Sequence, residues 1–538
     1  MPPRSRRQRV VVVVALVSVL AVILGSALLP YVSRTAAPDP AQTEAPIESS
    51  TASAIRPGAS RSEAGRPILP ITDVQPRGFT NPPPGHGKQR YLDQRIAWSD
   101  CGDKGLQCAA VKAPLDYAEP DGQAITLALA KRAASEQPRV GTLFLNPGGP
   151  GASGVDLVAR FDAKGLERYD LIGWDPRGTG ASTPVVCANG KAMDAYTSVD
   201  ISPDDAAEEA GLEQSQLDFG RGCLDRSGAL LAHISTVETV HDLDLLRQLT
   251  GEDRLNYLGF SYGTKIGAYY AELYPQQVGR VALDGAVNLT DDKRISQLDG
   301  FERALNSFAA WCAEHECKLG DTKAAVLDSI RDLLRGLDDK PIDGGRAELT
   351  QQLGLTGILA VLYENEEGWR YLERALEMAI DDRDGRYLLY FADVYNERGK
   401  NGQYGQLQFS FEAIRCLDSP EDSVAKAWRE ADAKAKRAPV LGPFAGADLS
   451  CPLWPVASAP KLSRITGEGA APVLVIGTTG DPATPYEYAE RMADQLESGQ
   501  LLTLRGEGHL AYSQSPCIRR YVQAYLLTGA MPTAGTRC

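Results

Sequence analysis

Histidine is scarce in this 538-residue chain: His86, His233, His241, His315 and His509 are the whole supply from which an imidazole base could be drawn. Positive charge is also in deficit, with 56 Lys and Arg against 70 Asp and Glu and a formal net charge of −14. Such a chain repels a phosphate backbone, so nucleic acid is not an expected partner. None of the ten cysteines forms a C-x-x-C pair, and histidines do not cluster beside them, which removes the usual zinc pattern; no metal and no cofactor is expected. The turn Asn146-Pro147-Gly148-Gly149-Pro150-Gly151 is not followed by Gly-Lys-Ser/Thr, so it is not a phosphate loop.

What is present begins with an export signal. Arg4, Arg6, Arg7 and Arg9 precede an uncharged apolar run from Val10 to Leu29. The run fits either a long secretory signal or an uncleaved N-terminal anchor with its arginines in the cytoplasm. No cysteine lies near its end to accept a lipid. The expected division is a signal or anchor over 1–35 and a Pro/Ala/Ser-rich flexible linker over 36–90. A first core part over 91–290, a helical insertion over 291–465 and a second core part over 466–538 follow. Ten cysteines in an exported chain point to disulfides. Sequential pairing is expected (101–108, 187–223, 312–317, 416–451, 517–538), although ten cysteines permit many other patterns. A secreted or cell-surface location follows, with the N-terminal apolar run as the possible anchor.

Strand-like and helix-like stretches alternate through the first core part. Val140–Leu145, Tyr169–Trp174, Leu255–Phe260 and Val278–Asp284 read as buried strands, and Thr236–Leu249 as an amphipathic helix. Between 290 and 465 the pattern turns helical, and strands return at Pro472–Gly477 and Leu501–Leu504. This alternation predicts an α/β fold: a mostly parallel sheet flanked by helices, with a helical lid inserted before the last strands.

The chemistry concentrates in three places. Gly259-Phe260-Ser261-Tyr262-Gly263 fits G-x-S-x-G between a predicted strand and a predicted helix, the setting that lifts the central serine above the sheet as a nucleophile. A serine hydroxyl needs a base to take its proton as it attacks a carbonyl carbon. Of the five histidines, only His509 follows a late strand in a loop near the C-terminus, where the nucleophile–acid–histidine order of α/β hydrolases puts the base. The acid is Asp481, in Thr478-Thr479-Gly480-Asp481-Pro482; Asp284, one strand earlier, is the rival. The oxyanion hole is assigned to the backbone amides of Tyr262, at the start of its helix, and Gly149, in the glycine turn.

These residues resemble a known family. Asn146–Gly151, Asp175-Pro176-Arg177-Gly178-Thr179-Gly180-Ala181-Ser182, Gly259–Thr264 and the end segment Cys517–Cys538 are similar to those of secreted tripeptidyl aminopeptidases, relatives of the prolyl iminopeptidases. The resemblance runs from about Trp98 to Cys538. It implies a helical lid and a short peptide substrate entering by its free N-terminus, with one to three residues released. Ser261, Asp481 and His509 stand at the matching motif positions. The family holds the substrate ammonium with acidic groups in or near the lid, for which Glu364, Glu366, Glu367, Glu412 and Asp418 are the candidates. Esterases also occur among the relatives, so an aminopeptidase and a carboxylesterase both remain open, against a noncatalytic surface-binding protein on the same fold.

Overall fold

The computed structural model describes residues 60–61, 66–102, 105–290, 294–420 and 422–538. The expected signal or anchor and most of the linker lie outside the described residues. Among the described residues no helix is long and apolar enough to cross a membrane.

Nine strands form one sheet: β1 (Ser99–Asp100), β2 (Leu106–Pro114), β3 (Ala124–Arg132), β4 (Gly141–Asn146), β5 (Tyr169–Trp174), β6 (Leu255–Phe260), β7 (Val278–Asp284), β8 (Val473–Gly480) and β9 (Gly499–Glu507). Their order across the sheet is β9-β8-β7-β6-β4-β5-β3-β2-β1. The six strands from β9 to β5 pair in parallel, and β3, β2 and β1 continue antiparallel. The order reverses between β4 and β6, a switch point above which the carboxyl ends of the strands leave a crevice.

Fourteen α-helices of seven or more residues lie among the described residues. Before the insertion come α1 (Gly154–Arg160), α2 (Gly190–Thr197), α3 (Ala206–Ser227), α4 (Thr236–Leu249) and α5 (Gly263–Leu273). The insertion holds α6 (Gln297–Glu314), α7 (Lys323–Asp339), α8 (Gln351–Leu362), α9 (Glu366–Asp381), α10 (Arg386–Tyr395), α11 (Leu407–Asp418) and α12 (Val424–Arg437). The last are α13 (Tyr486–Gln495) and α14 (Pro516–Thr528).

Period-2 alternation explains why the strands are apolar on both faces. Leu143 and Leu145 of β4, with Leu474 and Ile476 of β8, face Val158 of α1 and Ile518 and Val522 of α14. Phe144 and the neighbouring Val473 and Val475 face the opposite side, against Val240 and Leu243 of α4 and Ile266 of α5. This is the α/β-hydrolase arrangement. The insertion divides in its packing. Helices α6 to α10 bury Phe308, Ile330, Ile358, Trp369, Leu372 and Phe391 in a core of their own. Helix α11, in contrast, gives Phe409, Ile414 and Leu417 to the core on the α4–α5 face of the sheet, together with Phe219 of α3 and Trp454.

The motif Asp175-Pro176-Arg177-Gly178 is a structural lock. Asp175 accepts the Ser153 hydroxyl at 2.6 Å and the amides of Val155 and Ala181 at 3.2 and 2.8 Å, so it fixes the N-terminus of α1 and the glycine turn before it. Arg177, fully buried, makes a bidentate pair with Asp242 of α4, both contacts at 2.7 Å, and also donates to the carbonyls of Pro114, Leu115 and His233. All five sequential disulfides are formed. Cross-links of this kind persist outside the reducing cytoplasm, which places the folded chain in an extracytoplasmic compartment.

Without Asp242 the fully buried Arg177 guanidinium would lose its bidentate partner and keep only the Glu238 carboxylate, at 3.0 Å. Asp242→Ala is therefore expected to lose about 3 kcal/mol of stability, measured by urea unfolding, whereas Asp328→Ala, an exposed residue whose half-buried partner Arg331 lies three residues on in the same helix, is expected to change it by less than about 1 kcal/mol.

Candidate active site

Ser261 sits on the sharp turn between β6 and α5, with φ of 53° in the left-handed region that side-chain-bearing residues rarely adopt. Three contacts hold it there: its amide donates to the Asp284 carbonyl at 2.8 Å, and its carbonyl accepts the Thr264 amide and hydroxyl at 2.8 and 2.6 Å. The flanking glycines are required by close approach. A Cβ on Gly259 would stand 2.6 Å from the Gly263 carbonyl oxygen, and one on Gly263 would stand 2.8 Å from Asn146 Oδ1. The hydroxyl end of the Tyr262 side chain is buried against Thr236 Oγ1 at 2.6 Å, which leaves its backbone amide at the N-terminus of α5 beside the serine.

The glycine turn after β4 rests on this elbow. A Cβ on Gly148 would lie 2.9 Å from Ser261 Cβ and 3.0 Å from the Tyr262 amide nitrogen, so the closest approach falls at Gly148 rather than at Gly149. The Gly148 amide is spent on Asn146 Oδ1 at 3.0 Å. Among the described residues neither the Gly149 nor the Tyr262 amide has an acceptor in the protein, and Gly149 lines the same cavity as Ser261. Two donors of this kind, one of them at a helix N-terminus, can take up negative charge developing on an oxygen held above Ser261.

His509 follows β9. Its Nδ1 lies 2.9 Å from both carboxylate oxygens of Asp481, and its backbone amide donates to the Tyr363 carbonyl at 2.8 Å. The Tyr363 ring meets the imidazole edge-on at 5.5 Å between centroids. The Asp481 carboxylate is itself fixed by the amides of Ala483 and Thr484 at 2.9 and 2.8 Å and by the Thr484 hydroxyl at 2.9 Å. An aspartate that binds its own downstream backbone is a familiar turn, and here the turn aims the carboxylate at the imidazole. Ser261 and His509 line one cavity of about 450 Å³, although among the described residues the hydroxyl and the imidazole are not hydrogen-bonded to each other.

Asp284, the rival acid, does different work. Its fully buried carboxylate accepts the Ala511 amide at 3.0 and 3.1 Å and the Tyr512 amide at 2.8 Å, clamping the backbone just after His509. Burial pushes this carboxyl up to about 6, against the opposing effect of those amides. Thr484 and Tyr363 are site neighbours that the sequence does not single out, and Asp284 is named there only as the rival acid. For Thr484 a signal exists, since a threonine three residues after an aspartate commonly closes its turn.

The five acidic candidates separate by position. Glu366 and Glu367 are exposed in the first turn of α9. Asp418 is occupied by Lys265 Nζ at 2.7 Å, by the Thr236 amide at 2.9 Å and by the Thr236 hydroxyl. Glu364 is buried beside the histidine loop, and burial alone pushes its carboxyl up to about 7. Glu412 of α11 lines the cavity that holds Ser261 and His509. One of its oxygens accepts Arg415 Nη2 at 2.6 Å, and burial, opposed by Arg415, holds its carboxyl above the usual carboxylate range.

The chain is similar to known proteins over most of its length. A family model described as TAP-like protein matches residues 438–538. The chain is 35% identical over 482 residues to the serine protease Hip1 of Mycobacterium tuberculosis, covering 83% of this chain and 91% of the relative. It is 31% identical over 470 residues to the tripeptidyl aminopeptidase of Streptomyces coelicolor, covering 82% and 86%. It is also 36% identical over 471 residues to carboxylesterase B of M. tuberculosis, covering 82% and 89%.

Glu364 yields a pH test. Its folded-state pKa is raised above the unfolded value, so the native state holds a proton that the unfolded chain has released between about pH 4.5 and 7. The stability it contributes is present below that window and is lost as pH rises through it. Glu364→Gln is therefore expected to reduce the stability gained on going from pH 7.5 to pH 5 by about 1–3 kcal/mol, read from urea unfolding of both proteins at the two pH values.

Proposed function

The chain belongs to the tripeptidyl-aminopeptidase-like family of α/β hydrolases, and from that premise we propose that this serine hydrolase is an aminopeptidase removing single residues or short peptides from free N-termini. In this reading Ser261 is the nucleophile, His509 the general base, Asp481 the acid partner, and the Gly149 and Tyr262 amides the oxyanion hole. The observation that carries it is the single cavity shared by Ser261, His509, Gly149 and the partly neutralised carboxylate of Glu412.

The reaction has two halves. The Ser261 hydroxyl attacks the scissile carbonyl carbon while His509 Nε2 takes its proton, and Asp481 stabilises the imidazolium through Nδ1–H. The oxyanion of the tetrahedral intermediate accepts the two free amides, and its collapse expels the leaving amine, which receives the proton from His509. Water then attacks the acyl-enzyme under the same base, returning the hydroxyl and releasing the N-terminal fragment as an acid. The residues of 291–465 form the cap, and Glu412 receives the substrate ammonium. A carboxylate held largely away from water, with one oxygen already on Arg415, attracts a cation strongly while tolerating its own burial.

An esterase reading stands beside this one because a relative of comparable identity is named carboxylesterase B. The two differ in their need for the amine, and a substrate panel separates them. Di- and tripeptide anilides with free N-termini are expected to be hydrolysed. Acetylation should lower kcat/KM by about 100-fold or more, about 3 kcal/mol of lost transition-state binding, and Ser261→Ala should lower kcat by at least about 10⁴-fold. Equal turnover of acetylated anilides and simple acyl esters would replace the aminopeptidase with the esterase.

A further inference from the structure

A second cavity, of about 380 Å³, adjoins the first. Gln297, Arg415 and Asp448 line both, so these side chains form the partition between them. The partition is built rather than accidental. Arg415 makes two bonds to Asp448, Nη1 to Oδ2 at 2.5 Å and Nη2 to Oδ1 at 3.0 Å, while Nη2 also reaches Glu412 at 2.6 Å. Its guanidinium stands over the Phe411 ring at 5.8 Å. Helix α11 carries Glu412 and Arg415; Asp448 comes from the segment after α12. The disulfide Cys416–Cys451 ties these two stretches covalently, one residue from Arg415 and three from Asp448. Gln297 donates to the Ala483 carbonyl at 2.9 Å, which ties the same partition to the turn that holds Asp481.

We propose that the Arg415–Asp448 pair is the back wall of the acyl-side cleft, and that it sets the greatest number of residues released per cleavage by stopping the peptide at Glu412 instead of letting it run into the cavity behind. This rests on the aminopeptidase reading of the site. An extended chain needs about 3.3–3.6 Å per residue, so the depth of a closed cleft translates directly into a count of residues between the scissile bond and the N-terminus. The charge pattern suits a stop. Two carboxylates share one guanidinium, leaving an excess negative charge where a terminal ammonium would arrive, while a blocked or longer chain would have to break a bidentate pair to pass. The pair thus acts twice, by orienting Glu412 and by closing the route past it.

The test is a nested set of peptides that share one anilide leaving group and carry from one to eight residues before it, with released fragments measured by mass spectrometry. The native enzyme should show a sharp upper limit of fragment length. Asp448→Ala, which removes a half-exposed side chain and leaves Arg415 paired with Glu412, should extend that limit by one or more residues and raise kcat/KM on the peptides beyond the native limit by about 10-fold or more relative to those below it. Arg415→Ala should do the same, and Arg415→Lys should restore the native limit in part; if Arg415→Ala does not fold, Asp448→Ala decides alone. An unchanged fragment-length limit in folded Asp448→Ala, even with lower activity throughout, would overturn the proposal. The underlying reading fails separately and earlier, by a native enzyme indifferent to N-terminal acetylation.

Discussion

The Asp481 carboxylate faces two ways. On one side it takes up the amides of Ala483 and Thr484 and the Thr484 hydroxyl, so its position is set by its own turn at the end of β8. On the other it meets His509 Nδ1 with both oxygens at 2.9 Å. In the proposed mechanism this contact fixes the tautomer that leaves Nε2 free to take a proton, and everything downstream needs it: the attack by Ser261, the protonation of the leaving amine and the activation of water. The surroundings hold the imidazole from other directions. Tyr363 fixes the backbone amide of His509, and Asp284 clamps the amides of residues 511 and 512 just beyond it.

These supports join regions far apart in the sequence. Tyr363 lies between α8 and α9, so the histidine loop after β9 is hydrogen-bonded to the helical segment that separates β7 from β8. Helix α11 is fastened at both ends: Ser410 Oγ donates to the Gly178 carbonyl at 2.7 Å, and Asp418 binds Lys265 of α5, the helix that follows Ser261. Thr236 links Asp418 to the Tyr262 hydroxyl, one residue from Ser261. The helix carrying Glu412 and Arg415 is therefore referenced to the Ser261 turn by a buried polar chain, and to the 448–451 segment by a disulfide. In the proposed mechanism, substrate recognition and chemistry are thereby held in one frame, which is what positional catalysis requires.

Much of this was legible from the sequence, for reasons that can be named. The serine turn announces itself because only small residues fit at 259 and 263, and chain order orients the search for its partners. The apolar runs of β4, β6 and β8 read as strands because both of their faces are buried. Other features depend on long-range geometry that local pattern does not carry. Asp284 and Asp481 both end a strand beside a small or rigid residue, and only the position of the imidazole tells them apart. Gly148 and Gly149 are adjacent glycines; which one abuts the serine depends on the path of the turn. The acidic candidates are alike in sequence, yet Asp418 is consumed by Lys265 while Glu412 faces the cavity. Helix α3 is not among the expected elements, because Gln216 and Gly220 interrupt its buried stripe of Leu212, Phe219 and Cys223.

Whether an imidazole held by Asp481 activates Ser261 can be read from covalent trapping of that serine. The measurement is the rate at which diisopropyl fluorophosphate modifies the protein, with the adduct located by peptide mass spectrometry in the native chain, His509→Ala and Asp481→Asn. The account predicts a single adduct on Ser261, formed at least about 10³-fold more slowly in either variant. An adduct on another residue, or an undiminished rate in folded His509→Ala, would contradict it.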